Sequence, residues 1–252
     1  MDVDTERSSV PAVRTVAATA AFGWLAAGWR DFRAHPLLSA FYGACYAGMG
    51  WLIAVTFRHA HEYVSALITG FFLVGPFFAI GLYELSRRRE RGEPAGLAPT
   101  IDAWRPNAGA IGIFALVLAV ILLVWARASL IVFALFYTSE MPSVDRFVDQ
   151  IFSLDNIEFL FAYFCVGGFF AVLVFAISVV SVPMMLDRDT DGVVAVLTSL
   201  KAFAANVPAM IVWGLIIAAM VAAGFALFFV GLIVAVPIVG HATWHAYRNL
   251  VE

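Results

Sequence analysis

"VGPFFAIGLYELSRRRERGEP", residues 74–94, begins as an apolar run interrupted by a Gly-Pro pair and then places Arg87, Arg88, Arg89 and Arg91 within five positions. An apolar stretch that stops abruptly at a cluster of arginines is the pattern of a membrane-spanning helix reaching the cytoplasmic headgroups. Glu84 lies three and four positions before Arg87 and Arg88, so the spacing predicts its neutralisation on its own helix. Charges at such a boundary anchor a helix more often than they bind a substrate, although Glu84 remains a candidate binding residue.

The whole chain agrees with that start. Of its 252 residues 63% are hydrophobic and only 13% charged, with a mean hydropathy of +0.91. Soluble domains carry about 25% charge. With roughly 20 apolar residues per crossing, the length accommodates about six helices with short connections. The expected fold is therefore all-α and polytopic. A tail of residues 1–13, expected to be disordered, precedes one domain over 14–252, with spans at about 37–57, 63–85, 108–137, 157–182, 208–223 and 226–247. The acidic start argues against a cleaved signal peptide.

The third span reaches about 29 residues, roughly 43 Å, which is longer than a ~30 Å hydrocarbon core requires. The last two share one apolar block, split here at a turn around Ala223-Gly224-Phe225. If both termini are cytoplasmic, twelve of the fifteen basic residues lie inside and only Arg58, Arg127 and Arg146 outside. This bias orients the protein in a bacterial inner membrane.

Three segments between spans have the pattern of helices lying in the interface. Phe22, Leu25, Trp29 and Phe32 recur at helical spacing before the first span, with Arg30, Asp31 and Arg33 on other faces. Ser143 heads a similar outer stretch with Val144, Phe147, Val148 and Ile151. Asp191 caps a third, whose stripe is Val193, Val196, Leu197, Leu200 and Phe203.

The punctuation repeats. "GWRDFRAHPLLSAFYG" from Gly28, "AWRPNAGAIGIFA" from Ala103 and "LKAFAANVPAMIVWG" from Leu200 each open an outward-going helix. "VGPFFAIGLYELSRRRE" from Val74, "SVPMMLDRDT" from Ser181 and "AVPIVGHATWHAYRN" from Ala235 each close an inward-returning one. Three hairpins built on one plan are expected, with inner-end prolines at Pro76, Pro183 and Pro237.

The run "GPFFAIGLYELSRRRERGE" together with "PIVGHATWHAYR" resembles an uncharacterised family of bacterial integral membrane proteins, a domain of unknown function. The resemblance would cover Arg30 to Arg248. It implies a six-helix inner-membrane protein and carries no established activity. Members have been labelled as cytochrome oxidase subunits, but a haem-copper core needs histidines deep in the bilayer. His35, His59, His61, His241 and His245 all fall near predicted membrane surfaces, which leaves only an accessory role in such a complex.

His241 and His245 stand four apart on one helix face, the spacing of paired metal ligands, with His35 or Glu84 as a third. The plainer account places both in an aromatic belt with Trp244 and Tyr247, so no metal and no cofactor are expected. Arg127 sits in an apolar stretch, costly at mid-bilayer, but near enough to the outer headgroups to snorkel, with Glu140, Asp145 or Asp149 as partners. It is the other candidate substrate-binding residue. No span holds an acid at its centre, and neither phosphate loops nor nucleophile elbows occur, so no catalytic residue is assigned. Small residues at packing distance, Gly43 and Ala47 among them, allow close helix approach.

The expected function is nonenzymatic: an accessory, scaffold or assembly factor of a membrane complex, a respiratory one included. Its partners would be lipids, other membrane proteins or a second copy, with no nucleic acid. The alternative is a channel or carrier for a lipid or small apolar solute.

Overall fold

A computed structural model describes residues 10–59, 64–136, 157–188 and 190–252, and the described residues are helical with short connections. Their order is α1 (Ala20–Ala34), α2 (Pro36–His59), α3 (Val64–Arg91), α4 (Leu97–Ile101), α5 (Ala108–Phe136), α6 (Ile157–Ser178), α7 (Ser181–Asp187), α8 (Gly192–Ala205), α9 (Val207–Ala226) and α10 (Leu232–Leu250). Pro36 begins α2 and Pro208 lies in the first turn of α9, where no intrahelical N–H bond is lost. The helix predicted from Ser143 lies outside the described residues, as do Glu140, Asp145 and Asp149.

Among the described residues four segments are long and apolar enough to cross a membrane: Pro36–Thr56, Leu97–Phe136, Ile157–Asp187 and Val207–Ala226. The chain is thus an all-α, multi-pass membrane protein. The 29 residues of α5 match the length expected of the third span. Long helices also occupy the expected second and sixth positions, as α3 and α10, but α3 ends in the arginine run and α10 carries His241, His245 and Arg248.

The chain divides into two compact units. One comprises the described residues up to Leu116 with Ala176–Glu252, the other Val117–Phe175. In the second, Val132, Phe159 and Leu160 form a core joined by Phe133 and Tyr163. In the first, α10 is the hub, packing on α1, α2, α3, α7 and α9. Its approach to α2 depends on Gly43, where a Cβ would stand 2.3 Å from the Ile233 carbonyl oxygen. Gly28 does the same for α1, with a Cβ 2.5 Å from the Ile238 carbonyl oxygen.

The turn between the last two helices falls later than expected. Helix α9 runs through Gly224, whose lack of a side chain admits Leu232, and the reversal is made at residues 227–231 with Phe228 and Phe229 at positive φ. The expected tail also meets structure at its end. Val13 bridges Val251, the Arg14 N–H donates to the Leu250 carbonyl at 2.8 Å, and the Glu252 N–H donates to the Ala12 carbonyl at 3.1 Å. Residues 1–9 lie outside the described residues.

Helices α1 and α8 form where their patterns predict helices, and the orientation of their faces is informative. Asp191 caps α8 by accepting from the Val193 N–H. Toward the protein α8 turns Val194, Ala195, Thr198, Ser199 and Ala202, and its larger stripe of Val193 and Leu197 faces outward. Helix α1 likewise buries Trp24, Ala27, Gly28 and Asp31 and exposes Phe22 and Trp29.

Candidate functional site

The end of α10 expected to face the cytoplasm is where the ionisable residues converge. His241 and His245 share a face because four residues make about one helical turn. On α3 the same logic aligns Ser86, Arg89 and Glu90. Asp31 arrives on the inner face of α1, and Ser39 on the first turns of α2. Asp31, Ser39, Ser86 and His241 are all buried.

These side chains form one hydrogen-bonded file. Ser86 Oγ donates to Asp31 Oδ2 at 2.6 Å, and His241 Nδ1 lies 2.8 Å from the same hydroxyl. With the hydroxyl hydrogen given to the carboxylate, the imidazole must donate from Nδ1, and in the neutral ring Nε2 is left as an acceptor. Ser39 Oγ fills that place at 2.9 Å. His245 Nε2 reaches Asp31 Oδ2 at 2.8 Å, and its Nδ1 faces Glu90 Oε1 at 3.5 Å. Arg89 closes on Asp31 Oδ1. Burial by itself would raise the Asp31 pKa, but hydrogen bonds from His245 and Ser86, with the nearby imidazoles, hold it at about 2.

A second knot lies beside the first. Asp187 accepts from Tyr247 Oη at 2.9 Å and pairs with Arg91 at 3.2 Å and Arg248 at 3.3 Å. Arg87 donates to the Leu186 carbonyl at 2.7 Å. Glu84 is held as the spacing predicts, 2.8 Å from Arg87 and 2.9 Å from Arg88, the former contact being electrostatic and off hydrogen-bond alignment. Every arginine of the opening run therefore has a partner inside the protein.

The candidates named from sequence separate accordingly. His241 and His245 come together, but through serines and carboxylates. The aromatic-belt account is corrected: Trp244 and Tyr247 are buried in helix packing and do not face lipid. Their side of α10 is its contact face. His35 caps the end of α1, its N–H donating to the Asp31 carbonyl at 3.2 Å. Arg127 is exposed on α5 in the other unit. Among the described residues no group of three or more His, Cys, Asp or Glu is arranged to hold a metal.

Asp31, Ser39, Ser86 and Asp187 were missed from sequence. For Asp31 the signal was present: a lone acid on the protein-facing side of an otherwise basic amphipathic helix. For the serines there was none, because a hydroxyl in an apolar run reads as a small residue. Chemically the arrangement joins α1, α2, α3, α7 and α10 through polar contacts, and neither serine hydroxyl is open to a substrate.

No curated protein matches the chain, and no solved structure does. A family match covers a shorter stretch than Arg30 to Arg248 and includes the arginine run but not the α10 motif. Residues 64–187, from the start of α3 to the end of α7, match the family described as "Predicted integral membrane protein (DUF2189)".

Proposed function

We propose that the protein is a six-span inner-membrane protein with cytoplasmic termini, built as three related hairpins, and that it acts without catalysis as an accessory, scaffold or assembly factor of a membrane complex. One observation carries the role. The buried ionisable residues of the inner end, Asp31, Glu84 and His241, are engaged within the protein, while the long helices leave large apolar side chains uncovered, such as Leu116 and Leu123 on α5, Phe161 and Phe169 on α6, and Ile211 and Leu215 on α9. Such faces suit lipid, partner helices or a second copy. Respiratory complexes are among the candidate partners, and no cofactor is invoked.

The order of elements supports the hairpin plan. A short helix followed by two long ones occurs as α1-α2-α3, α4-α5-α6 and α8-α9-α10. Twelve basic residues on one side support the orientation. The rival role, a channel or carrier for a lipid or small apolar solute, needs a path bent open at the prolines. Pro183 and Pro237 are buried in packed helices, which favours the scaffold, and the Pro76 side chain lies outside those described.

Affinity purification of the full chain in mild detergent tests the role. Defined membrane proteins should co-purify, and deletion of the gene should deplete an assembled complex on native gels. Purification of the chain alone, together with normally assembled complexes in the deletion strain, would overturn it.

A further inference from the structure

The described basic residues of the inner end fall into two groups. Arg14 pairs with Glu252, Arg87 and Arg88 with Glu84, Arg89 with Asp31, Arg91 and Arg248 with Asp187, and Arg105 with Asp102, and Arg188 bonds Tyr247. Arg30, Arg33 and Lys201 are exposed, and among the described residues their side chains have no ion pair. These three sit on α1 and α8, the helices whose apolar stripes face away from the protein. On α1, Phe22 is 59% and Trp29 44% exposed, and Trp29 stacks on Phe32 with ring centroids 5.7 Å apart beside Arg30 and Arg33. On α8, Val193 is 64% and Leu197 48% exposed, one turn from Lys201.

Unneutralised cations flanking an outward apolar stripe complement one partner in particular, a surface with an apolar interior and an anionic edge. The acids that could have neutralised them locally are otherwise engaged: Asp31 points inward to Arg89, Ser86 and His245, and Asp191 caps α8. We propose that α1 and α8 are docking elements for anionic phospholipid, their stripes entering the acyl boundary and Arg30, Arg33 and Lys201 meeting lipid phosphates. This rests on the membrane-embedded reading above and not on the scaffold role.

The full chain is reconstituted in phosphatidylcholine bilayers holding a minor share of phosphatidylglycerol, with bromine on the acyl chains of one lipid or the other. The difference in emission between the native chain and Trp29→Phe isolates Trp29. Brominated phosphatidylglycerol should quench Trp29 several-fold more than brominated phosphatidylcholine at equal content, and the preference should fall about fivefold for each of Arg30→Gln and Arg33→Gln. Arg30→Lys, which keeps the charge, should retain it. A Leu197→Trp reporter in the Trp29→Phe background should show the same preference on α8, removed by Lys201→Gln. Equal quenching by both lipids, or a preference unmoved by the glutamine variants, overturns the proposal. So does a Trp29 that neither lipid quenches, since protein then covers the stripe. None of these outcomes changes which proteins co-purify, so the scaffold role stands or falls separately.

Discussion

Asp31 is a single carboxylate shared by three helices: its own, α3 through Ser86 and Arg89, and α10 through His245. Removing a hydroxyl from the middle of this file leaves a buried donor and a buried acceptor short of a partner. Ser86→Ala should therefore cost roughly 1–3 kcal/mol, read as a lower melting temperature in detergent. Thr198→Ala gives a comparison, because among the described residues that hydroxyl bonds only the Val194 carbonyl of its own helix at 2.7 Å, and it should cost clearly less. The depressed Asp31 pKa sets the sign of an acid effect. Its folded value of about 2 lies below the ordinary 3.8, so its stabilisation is complete above about pH 4 and is lost as pH falls through 2. A melting profile against pH should lose part of its acid limb in Asp31→Asn and show no Asp31-dependent change near neutrality.

Between helices, the absence of a side chain sets the spacing. Gly43 meets the α10 backbone, whereas a Cβ on Gly48, one turn and a half along α2, would meet nothing within 4 Å. Gly43→Ala should force α2 from α10 and destabilise by about 1–3 kcal/mol, and Gly48→Ala should be neutral or slightly stabilising. The turn into α10 makes the opposite prediction. Phe228 has φ 51 and is 86% exposed, so its left-handed backbone is strained with little packing in return. Phe228→Gly should raise stability by about 1 kcal/mol in a thermal melt. Here the limit of sequence reading is plain. Hydropathy located α2, α5, α6 and α9 and predicted α1 and α8 as amphipathic, because periodicity records where apolar side chains recur. It does not record what those side chains touch. The stripes on α1 and α8 face outward, and the protein contact is made by mostly small and polar residues, with Trp24 the large exception on α1, as fits a helix with lipid on its greasy side.

For the whole molecule, the arginine run was legible as the polar end of a helix and illegible as a set of internal staples. Its partners Asp31 and Asp187 lie far away in sequence, and no local rule pairs them. The same holds for α10, which reads as a sixth span and is also the buried centre of its unit. Topology remains open to direct measurement. A cysteine replacing exposed Arg105, in a chain freed of Cys45 and Cys165, should react with an impermeant maleimide only in inverted vesicles. Labelling from the outer face would reverse the orientation derived from basic residues.

Trp24 on α1 hydrogen-bonds Asn249 on α10 across 225 positions of sequence. A ribosome completes α1 long before it makes the helix that holds it, and at about 5–20 residues per second the wait lasts on the order of ten seconds or more. During that interval Asp31 lacks its α10 donor, His245, and the greasy outward side of α1 is what can keep it at the bilayer. Closure of this polar file is thus a late event in biogenesis, and a chain stalled before Leu232 should be met by membrane proteases as an unfinished product.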